Sequence, residues 1–382
     1  MKNMQKLKIF PLLALFTFLA ACVQTQELET LGIINARGVD LYEESSDELL
    51  ETTLIVFQFD IQHSAMTNTI IERGKTIKGA RKRAGYHMSY NLVPGQISVE
   101  MFGRELAERG LSSYLNGLVR DARDNETAYF AITDSTAKEV LTAGQENVAI
   151  NIGQYLQNLI EKEMNDGRLP ETSITHFDHM HTEIGIDPVL PIIDLVNNKP
   201  TLTGLAVFQE DKYVDRISMK DALLVNLMKK TLKDTRIEIT LPAKPFAPYI
   251  QFDPKVDVEE ISLMLTILKG KSKISLTDKE NLQYETDINL RMNLNEISRS
   301  IKINEKNFKL LEKEIEKSLK KDYETLLNKL QEINSDVIGY GKYYAATLRE
   351  KDLTNEEWRE KFPEISVKYN VKVKIVNHGT IM

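Results

Sequence analysis

Through 304–334, apolar residues return every three or four positions: Phe308, Leu311, Ile315, Leu319, Leu326, Leu330 and Ile333, with lysine and glutamate elsewhere. That period predicts a long helix with a single apolar stripe. The stripe covers few heptads and Tyr323 interrupts its aliphatic run, so packing on a sheet is favoured over a coiled coil. Segments 236–241, 260–268 and 284–294 read as strands, spaced for an antiparallel sheet. At 367–376, valine and lysine alternate with period two, as in a strand with one buried face.

The first half is less regular. Segments 31–41 and 54–59 are rich in strand-forming residues, with acidic 43–51 as a hairpin loop between them. Helices are predicted at 76–90 and 112–123. The stretch 99–108 begins as a strand and turns helical before Gly110 ends it. A strand at 129–133 leads to a short helix at 135–141 with Ser135 as its cap, and 150–164 forms an amphipathic helix stopped at Asp166 and Gly167. Asn197, Asn198 and Pro200 mark the clearest break. Beyond it, 203–208 and 212–217 form a hairpin around Glu210 and Asp211, and Ser218 caps a helix to Lys230. Strands and helices without regular βα alternation predict an α+β, multi-domain fold with mixed and antiparallel sheets and packed helices. Its expected parts are an N-terminal α+β domain over 22–196 and a C-terminal α+β region over 201–382, which can divide again near 295.

The first 22 residues change the picture most. Lys2, Lys6 and Lys8 precede an apolar run over 9–20, and Leu19-Ala20-Ala21 leads into Cys22, the one cysteine of the chain. A basic start, a short apolar core and small residues before a cut site make a secretory signal peptide, expected over 1–21. The apolar core is too short to span a hydrocarbon layer about 30 Å thick. The ending resembles a bacterial lipobox, which implies that Cys22 carries diacylglycerol and opens the mature chain. Two acyl chains hold a protein stably where one holds it marginally. With its thiol used for lipid, the chain has none for a disulfide, and its 382 residues, 42% hydrophobic, must be held by a core.

The chain carries 49 basic and 56 acidic residues, net −7; loss of the three leader lysines takes the body to −10. An acidic body argues against nucleic acid as a partner. Walker loops, Rossmann fingerprints and nucleophile elbows are missing, Gly339-Tyr340-Gly341 is too short for a phosphate loop, and no cofactor is expected.

Two local clusters remain. His176, His179 and His181, interleaved with Asp178 and Glu183, are candidate ligands for Zn²⁺ or a similar ion. An extended chain aligns His179 with His181, whereas a helix aligns His176 with His179, so neither geometry gathers all three. The plainer reading is a polar loop in a connector. Arg73, Lys75, Lys78, Arg81, Lys82 and Arg83 form a basic run with no acid after Glu72. It could face anionic headgroups or an acidic partner, or form a solvated helix face.

Taken in order, these segments resemble the Ger(x)C family, the lipoprotein C subunits of nutrient-germinant receptors in endospore-forming bacteria. The resemblance rests on the lipobox at Cys22, Arg37-Gly38-Val39-Asp40, Gly74-Lys75-Thr76-Ile77, the run 102–111 and Leu118-Val119-Arg120-Asp121. It continues with Gly204-Leu205-Ala206-Val207-Phe208, Asp336-Val337-Ile338-Gly339-Tyr340-Gly341, Trp358 with Phe362, and the run 371–379. It implies a multi-domain α+β fold peculiar to the family and a place on the outer face of the spore inner membrane. It also implies two integral-membrane partners, the A and B subunits, and no enzymatic activity. Only Cys22 carries over as a site residue, the lipid-bearing position. The competing reading is a lipid-anchored enzyme or solute-binding protein with a metal site at His176, His179 and His181. That reading needs two similar α/β lobes or converging titratable groups, and the sequence patterns favour neither.

Overall fold

Two β-sheets divide the fold. The computed structural model describes residues 30–44, 47–58, 66–94, 96–119, 128–148, 151–249, 259–299, 305–348 and 353–377. Cys22 and the expected leader lie outside the described residues.

The first sheet holds β1 (Leu31–Glu44), β2 (Asp47–Gln58), β3 (Met66–Gly74), β4 (Asn91–Val93), β5 (Val99–Gly103), β6 (Tyr129–Thr133), β7 (Val189–Val196), β8 (Lys199–Gln209) and β9 (Lys212–Ile217). Their order is β3-β2-β1-β5-β6-β7-β8-β9, with β4 beside the start of β1. The central strands β1, β5, β6 and β7 run parallel, and antiparallel strands flank them on both sides. Around this sheet lie α1 (Ile77–Gly85), α2 (Arg104–Arg109), α3 (Ser112–Val119), α4 (Ala137–Asn147), α5 (Ile152–Asn165) and α6 (Ile174–Thr182). Side chains alternate along a strand, so neighbours serve opposite faces. Met101 and Ala131 pack against Val140, Leu156 and Ile160 of α4 and α5. Phe102 and Phe130 face the other way, in a ring ladder with Phe177 and Phe208 whose centroids are 5.2, 5.9 and 5.1 Å apart. Both faces being covered explains why β5 is buried throughout.

The second sheet runs β10 (Thr235–Pro242), β11 (Glu260–Asp278), β12 (Gln283–Ile297) and β13 (Ser366–Asn377). On its inner face lie α7 (Met219–Lys229) and α8 (Glu305–Glu332), followed by α9 (Tyr340–Ala345) and α10 (Asn355–Lys361). The predicted stripe of α8 is buried at Leu311, Ile315, Leu319, Leu326 and Leu330. Tyr323 joins it rather than breaking it, stacking on Tyr369 with ring centroids 5.3 Å apart. The helix therefore packs on the sheet. Its Glu316 and Glu312 accept from the edge amides of Val373 and Ile375 at 2.9 and 2.8 Å, blunting an edge that could otherwise recruit another strand.

The fold is α+β, and several elements differ from expectation. The three strands expected to be antiparallel are so; the last strand, for which no direction was expected, joins them parallel to β12, because three helices form the crossover that parallel pairing needs. The acidic hairpin loop shrinks: β1 and β2 stay paired as far as Glu44 opposite Asp47. The helix expected to reach residue 90 ends at Gly85, before β4. Thr136, not Ser135, caps α4, because it closes a reciprocal capping box with Glu139. Asn197 and Asn198 sit at φ 52 and 58, the left-handed pair of a tight hairpin turn. They join β7 to β8, so the first sheet continues to Ile217, across the boundary expected at 196–201.

Candidate functional site

The histidine segment is a helix, not a loop. Ser173 Oγ caps α6 by accepting from the His176 amide at 3.2 Å. Helical spacing then leaves His176 and His179 on one side of the axis and turns His181 to another. His176 Nδ1 lies 3.9 Å from Glu171, and His179 Nε2 lies 3.6 Å from Glu183, which also binds Lys342 at 2.7 Å. His181 is half-buried on the other side of the helix. Burial, with Lys229 nearby, pushes the His176 pKa below the usual imidazole value. Among the described residues, no three histidine, cysteine or carboxylate side chains are grouped to hold a metal ion.

The basic run splits in two. Arg73, at the end of β3, lies 3.5 Å over the Tyr42 ring and pairs with Glu51 at 3.1 Å. Thr76 caps α1, which turns Ile77, Ala80 and Ala84 inward. Lys75, Lys78, Lys82 and Arg83 are exposed, and Arg81 is half-buried. Arg83 also donates to the Arg73 carbonyl at 3.2 Å. The chain thus presents a basic helix face, with Lys78 and Lys82 one turn apart.

The Arg37–Asp40 quartet organises the first sheet. Buried Arg37 and Glu100 pair across β1 and β5, Nε to Oε2 at 2.9 Å. A Cβ on Gly38 would stand 2.9 Å from that of Ala137, so glycine lets α4 lie close. Asp40 accepts from the amides of Ala137 and Lys138 at 2.7 and 2.9 Å, holding the start of α4. Burial raises its pKa to about 6. A depression of about 230 Å³ opens here, beyond the carboxyl ends of β5 and β6 and beside Asp40 and Leu41 of β1, next to Arg104, Asp134 and Ser135. Ligands favour that end of parallel strands. Here Asp134 is already engaged by the Tyr213 hydroxyl at 2.9 Å and by Arg216.

The two sheets meet at a buried polar joint. Asp187, just before β7, accepts from the amides of Asp336 and Glu210, both at 2.9 Å, and from Arg359 Nη2 at 2.8 Å. Its own amide donates to the Asp336 carbonyl at 2.9 Å. The Asp336 carboxylate accepts from the amides of Gly339 and Gly341 and from Trp358 Nε1, at 2.7, 2.9 and 3.1 Å. Ser335 Oγ donates to the Phe208 carbonyl at 2.6 Å. A Cβ on Gly341 would come 2.5 Å from Gly185 Cα, so two glycines let the chains touch. Burial lifts the Asp336 carboxyl to about 7 and lowers the nearby Lys229 ammonium to about 8. Donors occupy both carboxylates, so the arrangement positions one half of the chain against the other. Sequence reading found the Gly339–Gly341 stretch and Trp358 but missed Asp187 and Arg359. The one local signal was a lone acid before an apolar strand.

An α+β body with two sheets locked by such a joint is the class these observations define. Residues 24–195 match the family model described as the spore germination protein N-terminal domain, and residues 203–379 match spore germination B3/GerAC like, C-terminal. The chain belongs to the Ger(x)C family of spore germination proteins. It is similar to spore germination protein GerQC of Bacillus cereus, 24% identical over 369 residues that span 96% of this chain and 97% of that relative. It also resembles the GerBC protein in its crystal structure, with a TM-score of 0.49 at 18% identity, covering 90% of this chain and 98% of that one.

Proposed function

We propose that this chain is the lipid-anchored C subunit of a nutrient-germinant receptor. Cys22 carries diacylglycerol and holds the body at the outer face of the spore inner membrane, beside integral-membrane A and B subunits. The work is non-enzymatic: assembly of the receptor or relay of its signal. The observation that carries this reading is agreement along the whole chain. Both halves match spore germination models, in a chain whose leader ends on its single cysteine.

The joint supports a relay role. A push on α10 reaches Asp187 through Arg359 and so β7 and the β8–β9 turn of the opposite sheet. No helix of the described residues is long and apolar enough to cross a membrane; in this reading the lipid on Cys22 supplies the attachment. The basic face of α1, with Lys75, Lys78, Lys82 and Arg83, is a candidate contact for the membrane or a partner. Affinity capture of a tagged chain from dormant-spore membranes tests the assignment. Two polytopic membrane proteins should be recovered with it; capture of the chain alone would refute the receptor reading.

A further inference from the structure

Strand pairing in the second sheet gathers cations from three separate segments. The β11–β12 register sets Lys269 opposite Arg291 and Lys271 opposite Asn289. The β12–β13 register sets Arg291 opposite Lys374 and Asn289 opposite Lys372. Two adjacent rows therefore read Lys269–Arg291–Lys374 and Lys271–Asn289–Lys372, with no acid in either. All six side chains are exposed, on the face turned away from α7 and α8, around a shallow depression of about 320 Å³. Lys374, at the rim, lies 3.5 Å from Glu312. Among the described residues, no ion pair engages Lys269, Lys271, Arg291 or Lys372.

Like charges directly opposite one another weaken a sheet. This chain has an acidic net charge of −7, with carboxylates in supply, yet the fold leaves these rows unbalanced. A surface that costs the fold stability and is paired internally only at its rim, Lys374 with Glu312, fits an external anion.

We propose that this face docks on anionic phospholipid headgroups and lays the second sheet against the bilayer. The proposal rests on the membrane-anchored reading above, and adds an orientation to it. The chemistry selects among polyanions. Protein interface cores are rich in aromatic residues and poor in lysine, whereas four of these six positions are lysine and none is aromatic. Single-stranded nucleic-acid sites add stacking rings, and nucleic-acid-binding domains are basic overall. Lysine presents a compact, strongly hydrated charge on a flexible stem, suited to a fluid array of phosphates without fixed geometry. Each such side chain near an anionic leaflet raises affinity by about fivefold.

The test uses residues 23–382 without lipid, mixed with vesicles of phosphatidylcholine alone or with phosphatidylglycerol added. Binding is expected only to the phosphatidylglycerol vesicles, and is lost near 1 M salt, where the screening length falls to about 3 Å. Replacing Lys269, Lys271, Arg291 and Lys372 together by Gln should lower the partition coefficient by about a hundredfold or more. Replacing Lys75, Lys78, Lys82 and Arg83 by Gln should leave most of the binding. Circular dichroism checks that the fourfold variant folds; if it does not, Arg291→Gln alone should still lower partition by about fivefold. Absence of wild-type binding to phosphatidylglycerol vesicles at low salt, or binding unchanged by the neutralised sheet face, overturns the proposal. Binding to RNA or to an acidic peptide without vesicle binding overturns it in favour of another polyanion. Each of these failures leaves the Cys22 anchor standing, because anchoring is read separately on the lipidated chain.

Discussion

Arg359 reaches back 172 positions to donate its Nη2 to Asp187 Oδ1 at 2.8 Å. The side chains are 18% and 8% exposed, so water screens the pair weakly. Removing one member of a buried pair strands the other charge. Arg359→Met keeps the stem but not the cation, and should cost about 3 kcal/mol in urea denaturation. A loss within experimental error would show that the joint is not a stabilising contact.

Asp336 should give the joint a pH dependence of a definite sign. Its folded-state pKa of about 7, set by burial, lies above the ordinary 3.8. The folded chain therefore holds a proton that the unfolded chain has released. That contribution to stability is fully present below pH 3.8 and is lost as pH rises through about 7. Asp336→Asn cannot titrate. Wild-type stability minus variant stability should fall across that interval, measured by denaturation at several pH values. A difference that stays flat would contradict the assignment.

Two glycines should respond in opposite directions. At Gly341 a methyl group would meet Gly185 backbone at 2.5 Å and the Trp358 indole at 2.7 Å. Gly341→Ala should cost about 1–3 kcal/mol through overpacking. Gly117 is exposed inside α3, with nothing within 4 Å of an added Cβ. Gly117→Ala should stabilise by about 0.5–1 kcal/mol, because glycine loses more freedom in a helix than alanine. Thermal melts of both variants check the pair.

Arg291 separates fold from surface. It sits between Lys269 and Lys374, so Arg291→Gln removes repulsion on both sides. Stability should hold or rise by about 0.2–1 kcal/mol, read from denaturant midpoints. A clear loss of stability would mean that the guanidinium serves the fold.

Local periodicity made much of this fold legible. The stripe of α8 and the alternation of β13 recur within a few residues, and both elements, like β10 and β12, stand close to where their patterns predict, whereas β11 runs ten residues past its expected end at 268. Pairing direction was not legible. Whether β13 runs parallel to β12 depends on a crossover of three helices, not on either strand's own residues. Strand β3 was missed because its residues are mostly polar and only Ile70 and Gly74 are buried, giving no apolar alternation. Contiguity decided which charges stood out. The run at 73–83 is visible because it is unbroken, whereas Lys269, Arg291 and Lys374 become neighbours only through register. The histidines were conspicuous for the same reason, and the helix that holds them turns His181 away from the other two. Gly339-Tyr340-Gly341 drew notice as a short glycine motif. Its use lies in the close contact with Gly185, which no local pattern announces.

The central claim is that one sulfur holds this body at the spore membrane. Intact-mass analysis of the chain purified from spore inner membranes tests it most directly. The account predicts a polypeptide that begins at Cys22 and carries diacylglycerol on its thiol. An uncleaved chain with a free thiol, recovered from the soluble fraction, would contradict it.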